Sequence, residues 1–149
     1  DFLRNAGVTL GKGSYLLIGV DTKKSADLLH RAYNDSQGVT AAFNRNILER
    51  INRELDAELD TECFEHYAFY NPQEGRVEMH LISQVEQRSW ICGVPLHFSA
   101  GESIHTENSY KYSLGQFQQL ARSAGWQPER QWIAEDNLFA LYLLRYAGD

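Results

Sequence analysis

Apolar positions along the chain follow three rhythms. From Tyr15 to Val20 they run almost unbroken, Tyr-Leu-Leu-Ile-Gly-Val, and stop at Asp21. Such a run predicts a strand buried on both faces, as in a parallel sheet. From Val39 they recur every four residues, through Phe43, Ile47, Ile51 and Leu55, with Leu48 beside them. That spacing predicts an amphipathic helix with this stripe buried and Arg45, Arg50 and Arg53 solvated. Val77, Met79 and Leu81 then alternate with Glu78 and His80, the pattern of a half-buried strand.

The remaining elements follow from caps and turns. Asp1 to Val8 reads as the end of a helix, with Phe2, Leu3 and Ala6 on one face and Gly7 as its cap. A chain that opens inside an element is expected to be part of something longer. Gly11, Lys12 and Gly13 form a turn. Ser25 caps a helix from Ala26 to Tyr33, with Asp27 favourable in its first turn, and Asn34, Asp35, Ser36 and Gly38 break it. Asp60 is expected to cap a short helix through Phe64. His66–Tyr70, Ser89–Cys92, Val94–Phe98 and the extended segment Ile104–Tyr112 complete an antiparallel meander. Ser113 and Gln116 form a capping box for a helix whose stripe is Phe117, Leu120, Ala121 and Ala124, with Gly125 as its left-handed cap. Trp126–Ile133 and Asn137–Tyr146 close the chain as strands. The expected class is α/β, with residues 1–23 and 112–149 sharing one open sheet and an α+β insertion over 24–111.

Composition narrows the partners. The chain has 149 residues and a net charge of −6, and its basic residues are scattered. A phosphate backbone needs clustered Lys and Arg, so no nucleic-acid partner is expected. No apolar run approaches the ~20 residues of a membrane span, and no basic-then-apolar leader is present. A cytoplasmic location is expected. Cys63 and Cys92 are read as two buried thiols. Glu62 and His66, four apart, have no second His or Cys at ligand spacing, so no metal site is expected. His30, His80 and His97 form no cluster.

Two terminal segments, Leu10-Gly11-Lys12-Gly13-Ser14-Tyr15-Leu16-Leu17-Ile18 and Phe117-x-x-Leu120-Ala121-x-x-Ala124-Gly125-Trp126, resemble the late part of Rossmann-like class I methyltransferases. The middle is more specific. Ala32-Tyr33-Asn34-Asp35-x-x-Gly38-Val39-Thr40-Ala41-Ala42-Phe43-Asn44-Arg45-Asn46, Val77-Glu78-Met79-His80-Leu81 and Gly101-Glu102-Ser103-Ile104-His105-Thr106-Glu107-Asn108-Ser109-Tyr110 occur in order. Together they resemble the C-terminal portion of the histidine-specific Nα-methyltransferases of ergothioneine biosynthesis. The resemblance implies a transferase that uses S-adenosyl-L-methionine to trimethylate the α-amine of L-histidine to hercynine. It implies that Tyr33 holds the substrate carboxylate, Glu107 and Ser109 bind the imidazole, and Met79 lines the pocket. The family's glycine-rich cofactor loop has no counterpart here. Gly11-Lys12-Gly13 precedes a strand, whereas the nucleotide fingerprint follows one. The cofactor is therefore expected to be bound mainly outside this chain, which alone would be inactive.

The residues support that chemistry without fixing it. Strand alternation puts His105, Glu107, Ser109 and Lys111 on one face, with Glu107 and Ser109 roughly 7 Å apart. A carboxylate accepts from an imidazole N–H and a hydroxyl serves the other nitrogen. The same periodicity fits Glu107 paired with Lys111 at the surface. From periodicity Met79 reads as core. Methyl transfer is an in-line displacement governed by positioning, and it needs no nucleophilic Ser or Cys. The competing readings are a non-catalytic amino-acid- or imidazole-binding domain and an interaction domain pairing through a sheet edge. An uncovered flank of the Tyr15–Val20 strand would favour self-association.

Overall fold

In the computed structural model, which describes residues 1–148, the elements run in the order helix α1 (Phe2–Leu10), strand β1 (Tyr15–Asp21), helices α2 (Ala26–Tyr33) and α3 (Val39–Leu55), strands β2 (Phe64–Asn71), β3 (Arg76–Ser83), β4 (Gln87–Ile91), β5 (Val94–Phe98) and β6 (Ser103–Tyr110), helix α4 (Leu114–Ser123), and strands β7 (Trp126–Ile133) and β8 (Phe139–Tyr146). Short 3₁₀ turns occupy Thr61–Cys63 and Glu135–Asn137. The chain divides into a terminal unit, Asp1–Lys24 with Tyr110–Asp149, and an inserted unit, Ser25–Ser109.

The terminal unit is built on a three-stranded sheet of order β1-β8-β7, with β8 antiparallel to both neighbours. Pro128 pairs with Leu144 beside a bulge in β7, the last strand in that order, a setting in which proline is tolerated. Val20, Trp126, Ala140, Tyr142, Leu144 and Tyr146 pack with Leu3 of α1 and with Phe117, Ala121 and Ala124 of α4. The Trp126 indole N–H donates to the Leu3 carbonyl at 2.7 Å. Ser113 and Gln116 make the reciprocal capping box of α4 that the sequence signals, and Gly125 follows at φ 82°. Asp21 accepts from Lys111 at 2.7 Å and from Lys24. Burial pushes its carboxyl up, but the two ammonium groups outweigh that and hold it below its ordinary value.

Three expectations fail in this unit. Gly7 does not cap α1; it is buried inside the helix, which ends at Gly11. A Cβ at Gly7 would come within 2.3 Å of the Tyr146 ring, so the glycine serves close packing instead. The strand at Tyr15–Val20 is not buried on both faces and pairs antiparallel, not parallel. Its Tyr15 and Leu17 are exposed, as are Phe139, Leu141 and Trp132 of the facing strands, so one face of the sheet is apolar and bare. Leu120 is also exposed, because only Phe117, Ala121 and Ala124 of the α4 stripe reach the core.

The inserted unit holds a sheet of order β2-β3-β6 and a separate β4–β5 hairpin, not one continuous meander. The hairpin turns through Cys92 and Gly93, both at positive φ (49° and 77°), the backbone of a tight primed turn. Ser25 caps α2 through Leu28 N–H. Val77, Met79 and Leu81 are buried as the alternation predicts. They fall into two apolar clusters, one with Leu29, Ala68, Tyr33 and Tyr70, the other with Leu48, Leu59 and Phe64.

Here too the sequence misleads in places. The buried row of α3 is Asn44 and Leu48, while Val39, Phe43, Ile47 and Leu55 are exposed and Ile51 is half-buried. Arg45 is half-buried as well. Glu78 is buried despite its polar place in the alternation, because Arg76 and Asn71 satisfy it. Asp60 sits at the start of the 3₁₀ turn without a side-chain cap. Its carboxylate accepts from the Cys63 thiol, and that hydrogen bond, with lesser help from burial, pushes the thiol up. Cys63 is half-buried and Cys92 exposed, so neither is the fully buried thiol expected.

Candidate functional site

Asn34 ends α2 and aims its last residue. Its side-chain amide donates to the carbonyls of His30 and Ala68 and accepts from Ala68 N–H, stitching the helix end to β2. Asp35 then opens α3, accepting from Val39 N–H and Thr40 N–H at 2.9 Å each. Those backbone donors at a helix N-terminus hold its carboxyl down to about 2. Two anchored helix ends thus bracket the Tyr33–Gly38 link.

Tyr33 is half-buried, and its hydroxyl lies 2.8 Å from the Ser109 hydroxyl near the end of β6. Two of the sequence-predicted site residues, far apart in the chain, are therefore in direct contact. Met79 lies in the same apolar cluster as Tyr33, but its side chain is buried. Glu107 is exposed. It lines a cleft of about 170 Å³ with Thr106 and, from α3, Phe43, Asn44, Asn46, Ile47 and Arg50. Two of the exposed apolar residues of α3, Phe43 and Ile47, thus face the Glu107 cleft. Lys111 pairs with Asp21, so the surface partner that periodicity allowed for Glu107 is engaged elsewhere.

A polar network absent from the sequence reading runs beneath these residues. His66 lies on β2, as the sequence pattern predicts. Its Nε2 is 2.8 Å from the Tyr33 carbonyl, and its Nδ1 is 2.9 Å from the Asn44 amide nitrogen. Asn44 also donates to the His80 carbonyl at 3.0 Å. The Thr106 hydroxyl lies 2.6 Å from Asn44 Oδ1 and 2.9 Å from the Met79 carbonyl. Hydrophobic periodicity does not reveal a buried Asn on α3, and Asn44 is nevertheless buried.

Among the described residues, Glu78, His80 and His105 bring ligand-type atoms within 4.8 Å of one another. The His80 and His105 rings stack at 4.5 Å with planes 17° apart. An imidazole lone pair lies in its ring plane, so stacked rings do not converge on one ion. The cation beside Glu78 is the Arg76 guanidinium, at 2.9 Å. Burial raises the Glu78 carboxyl, but hydrogen bonds from Arg76, Asn71 and His80 hold it below its ordinary value. His105 Nε2 donates to the Glu107 carbonyl at 3.2 Å, which fixes the strand next to the cleft.

Comparison with known proteins bears on this arrangement. The family described as histidine-specific, SAM-dependent methyltransferase matches residues 1–146. A histidine N-alpha-methyltransferase of Mycolicibacterium smegmatis is 45% identical over 114 residues, covering 75% of this chain and 36% of the relative. One of Mycobacterium tuberculosis is 40% identical over 144 residues, covering 95% of this chain and 45% of the relative. The L-tryptophan methyltransferase trpM of Psilocybe serbica is 31% identical over 150 residues, covering 97% and 41%. The chain thus spans less than half the length of these curated relatives and matches their C-terminal part.

Proposed function

The chain belongs to the histidine-specific, S-adenosylmethionine-dependent methyltransferase family, and we propose from that premise that it supplies the amino-acid acceptor pocket of an enzyme that trimethylates the α-amine of L-histidine to hercynine. The observation that carries the reading is the Tyr33–Ser109 contact at 2.8 Å, with the Glu107 cleft on the same strand. Ser109 and Glu107 would take the two imidazole nitrogens, and Tyr33 the carboxylate. Histidine carries those groups at opposite ends, so a bound substrate would replace the direct Tyr33–Ser109 contact with contacts of its own. Met79, buried beside Tyr33, would back the pocket through packing instead of touching the ring.

The terminal unit would be the late part of a Rossmann-like sheet, with residues 24–111 inserted for substrate recognition. In support, β8 runs antiparallel between β1 and β7, and the bare apolar face at Tyr15, Leu17, Phe139 and Leu141 has the character of a sheet surface that further chain covers. S-adenosyl-L-methionine would supply an electrophilic methyl group. The residues described here offer no phosphate- or nucleoside-binding loop, so their part is to hold and orient the acceptor. A fixed carboxylate and a fixed ring leave the α-amine one approach, which is how positioning accelerates an in-line transfer.

A different acceptor is the second reading, and the tryptophan methyltransferase relative favours it. Incubating the native protein that carries this chain with L-histidine or L-tryptophan and S-adenosyl-L-methionine, and resolving products by mass, tests both. The proposal expects three successive methyl additions to histidine, little product from tryptophan, and loss of at least ~10²-fold in kcat/KM for Glu107→Ala. Preferential methylation of tryptophan would replace the first reading by the second.

A further inference from the structure

The network under the site has a directional logic. A backbone carbonyl can only accept, so the His66 nitrogen facing Tyr33 C=O, Nε2, carries a proton. Its Nδ1 then offers a lone pair, which meets the Asn44 amide NH₂. The second amide proton goes to the His80 carbonyl, and Asn44 Oδ1 faces the Thr106 hydroxyl. Turning the amide over would set oxygen against the His80 carbonyl and against the His66 lone pair, so each bond enforces the others. Asn44 is only 3% exposed, and a buried amide is tolerated because these partners satisfy it.

The two ends of this chain of bonds are the informative feature. One end holds the backbone of Tyr33. The other holds Thr106, the residue immediately before Glu107 and three before Ser109. We propose that Asn44, His66 and Thr106 are positioning residues of the acceptor site, and that Asn44 is the hub that sets Tyr33 against the strand carrying Glu107 and Ser109. His66 lies outside the lining of the Glu107 cleft, while Asn44 and Thr106 line it beside Glu107; the role assigned to all three is to hold the groups that bind the substrate. They keep Tyr33 in place through its carbonyl, which leaves its hydroxyl to exchange the Ser109 hydroxyl for the substrate carboxylate. A site so braced is preorganised, and loss of one brace weakens acceptor binding more than chemistry. The inference rests on the acceptor-pocket reading of Tyr33 and Glu107.

The test uses the native protein with Thr106→Val, which keeps the shape and removes the hydroxyl, Thr106→Ser, which keeps the hydroxyl, and Glu107→Gln. Thr106→Val should raise KM for histidine on the order of tenfold, the effect of about one lost hydrogen bond, with KM for S-adenosyl-L-methionine unchanged. Thr106→Ser should restore the histidine KM. A Thr106→Val enzyme with unaltered histidine KM, or with activity lost equally for both substrates, overturns the positioning role, provided that Glu107→Gln impairs histidine use. Should Glu107→Gln leave histidine use intact, the acceptor-pocket reading itself fails. Nitrogen-15 spectra of the unmutated protein give an independent readout if Thr106→Val does not fold. They should show His66 protonated at Nε2 with signals that shift on adding histidine. A proton on Nδ1 alone, or no shift, contradicts the network.

Discussion

The terminal unit gathers Trp126, Phe117, Tyr142, Leu144 and Tyr146 into one apolar cluster, with Thr22 and Lys111 its buried polar residues among those described, whereas the inserted unit divides its apolar residues between two smaller clusters and buries the hydrogen-bonded Asn44, Glu78 and Ser83. The first arrangement gains stability from area removed from water and says little about where any one polar atom must lie. The second gives up some of that area for hydrogen bonds that fix particular groups. Polar networks add little net stability but tolerate only one arrangement. The unit with the candidate site is thus the one with a hydrogen-bonded network around a buried Asn44, and the unit with the larger apolar cluster carries none of the proposed substrate contacts.

Substitutions can break this contrast. Trp126→Ala should cost about 3–5 kcal/mol, because a fully buried indole and its bond to the Leu3 carbonyl are both lost. Asn44→Ala should cost less, about 1–3 kcal/mol, yet impair acceptor binding more than Trp126→Ala does once folded protein is compared. Chemical denaturation alongside substrate binding measures both. If Asn44→Ala matched Trp126→Ala in stability and left the site intact, the polar interior would be ordinary core. Gly7→Ala sharpens the description of the terminal unit. With the Tyr146 ring 2.3 Å from the added methyl, it should destabilise by about 1–3 kcal/mol, although alanine is the better helix former. A neutral result would mean that Tyr146 moves freely.

The smallest effect is pH-dependent and local to the inserted unit. The Asp35 carboxyl is held at about 2, below its ordinary 3.8, so it favours the folded form while ionised. That contribution is fully present above the ordinary value and is lost as pH falls through about 2. Acid titration of helicity should therefore show α3 weakening below about pH 4, and Asp35→Asn should remove that part of the transition.

Much of the local structure was legible in the sequence because short-range rules govern it. Ser25 and the Ser113–Gln116 pair cap their helices as composition suggests, and Val77, Met79 and Leu81 alternate into the core. What misled was periodicity without a partner surface. Val39, Phe43 and Ile47 repeat as a buried stripe would, but they are exposed, and the helix turns Asn44 inward because hydrogen bonds are waiting for it. The run at Tyr15–Val20 reads as doubly buried, yet among the described residues Leu16, Ile18 and Val20 pack into the apolar cluster while Tyr15 and Leu17 are exposed. Lys111 reads as a surface residue and is buried against Asp21. Of the candidate site, Tyr33 and Ser109 were named from the resemblance, and their contact needed the structure. The network behind them left no trace in hydrophobic pattern, since its members answer to one another and not to a period.

The central claim, that this chain provides the histidine acceptor pocket, is most directly tested by calorimetric titration of L-histidine into the native protein and into its Glu107→Ala variant. Saturable binding that weakens by at least ~10-fold in the variant, about 1.4 kcal/mol, is the predicted result. Equal affinity in the two proteins would contradict it, because Glu107 would then have no part in holding the ring.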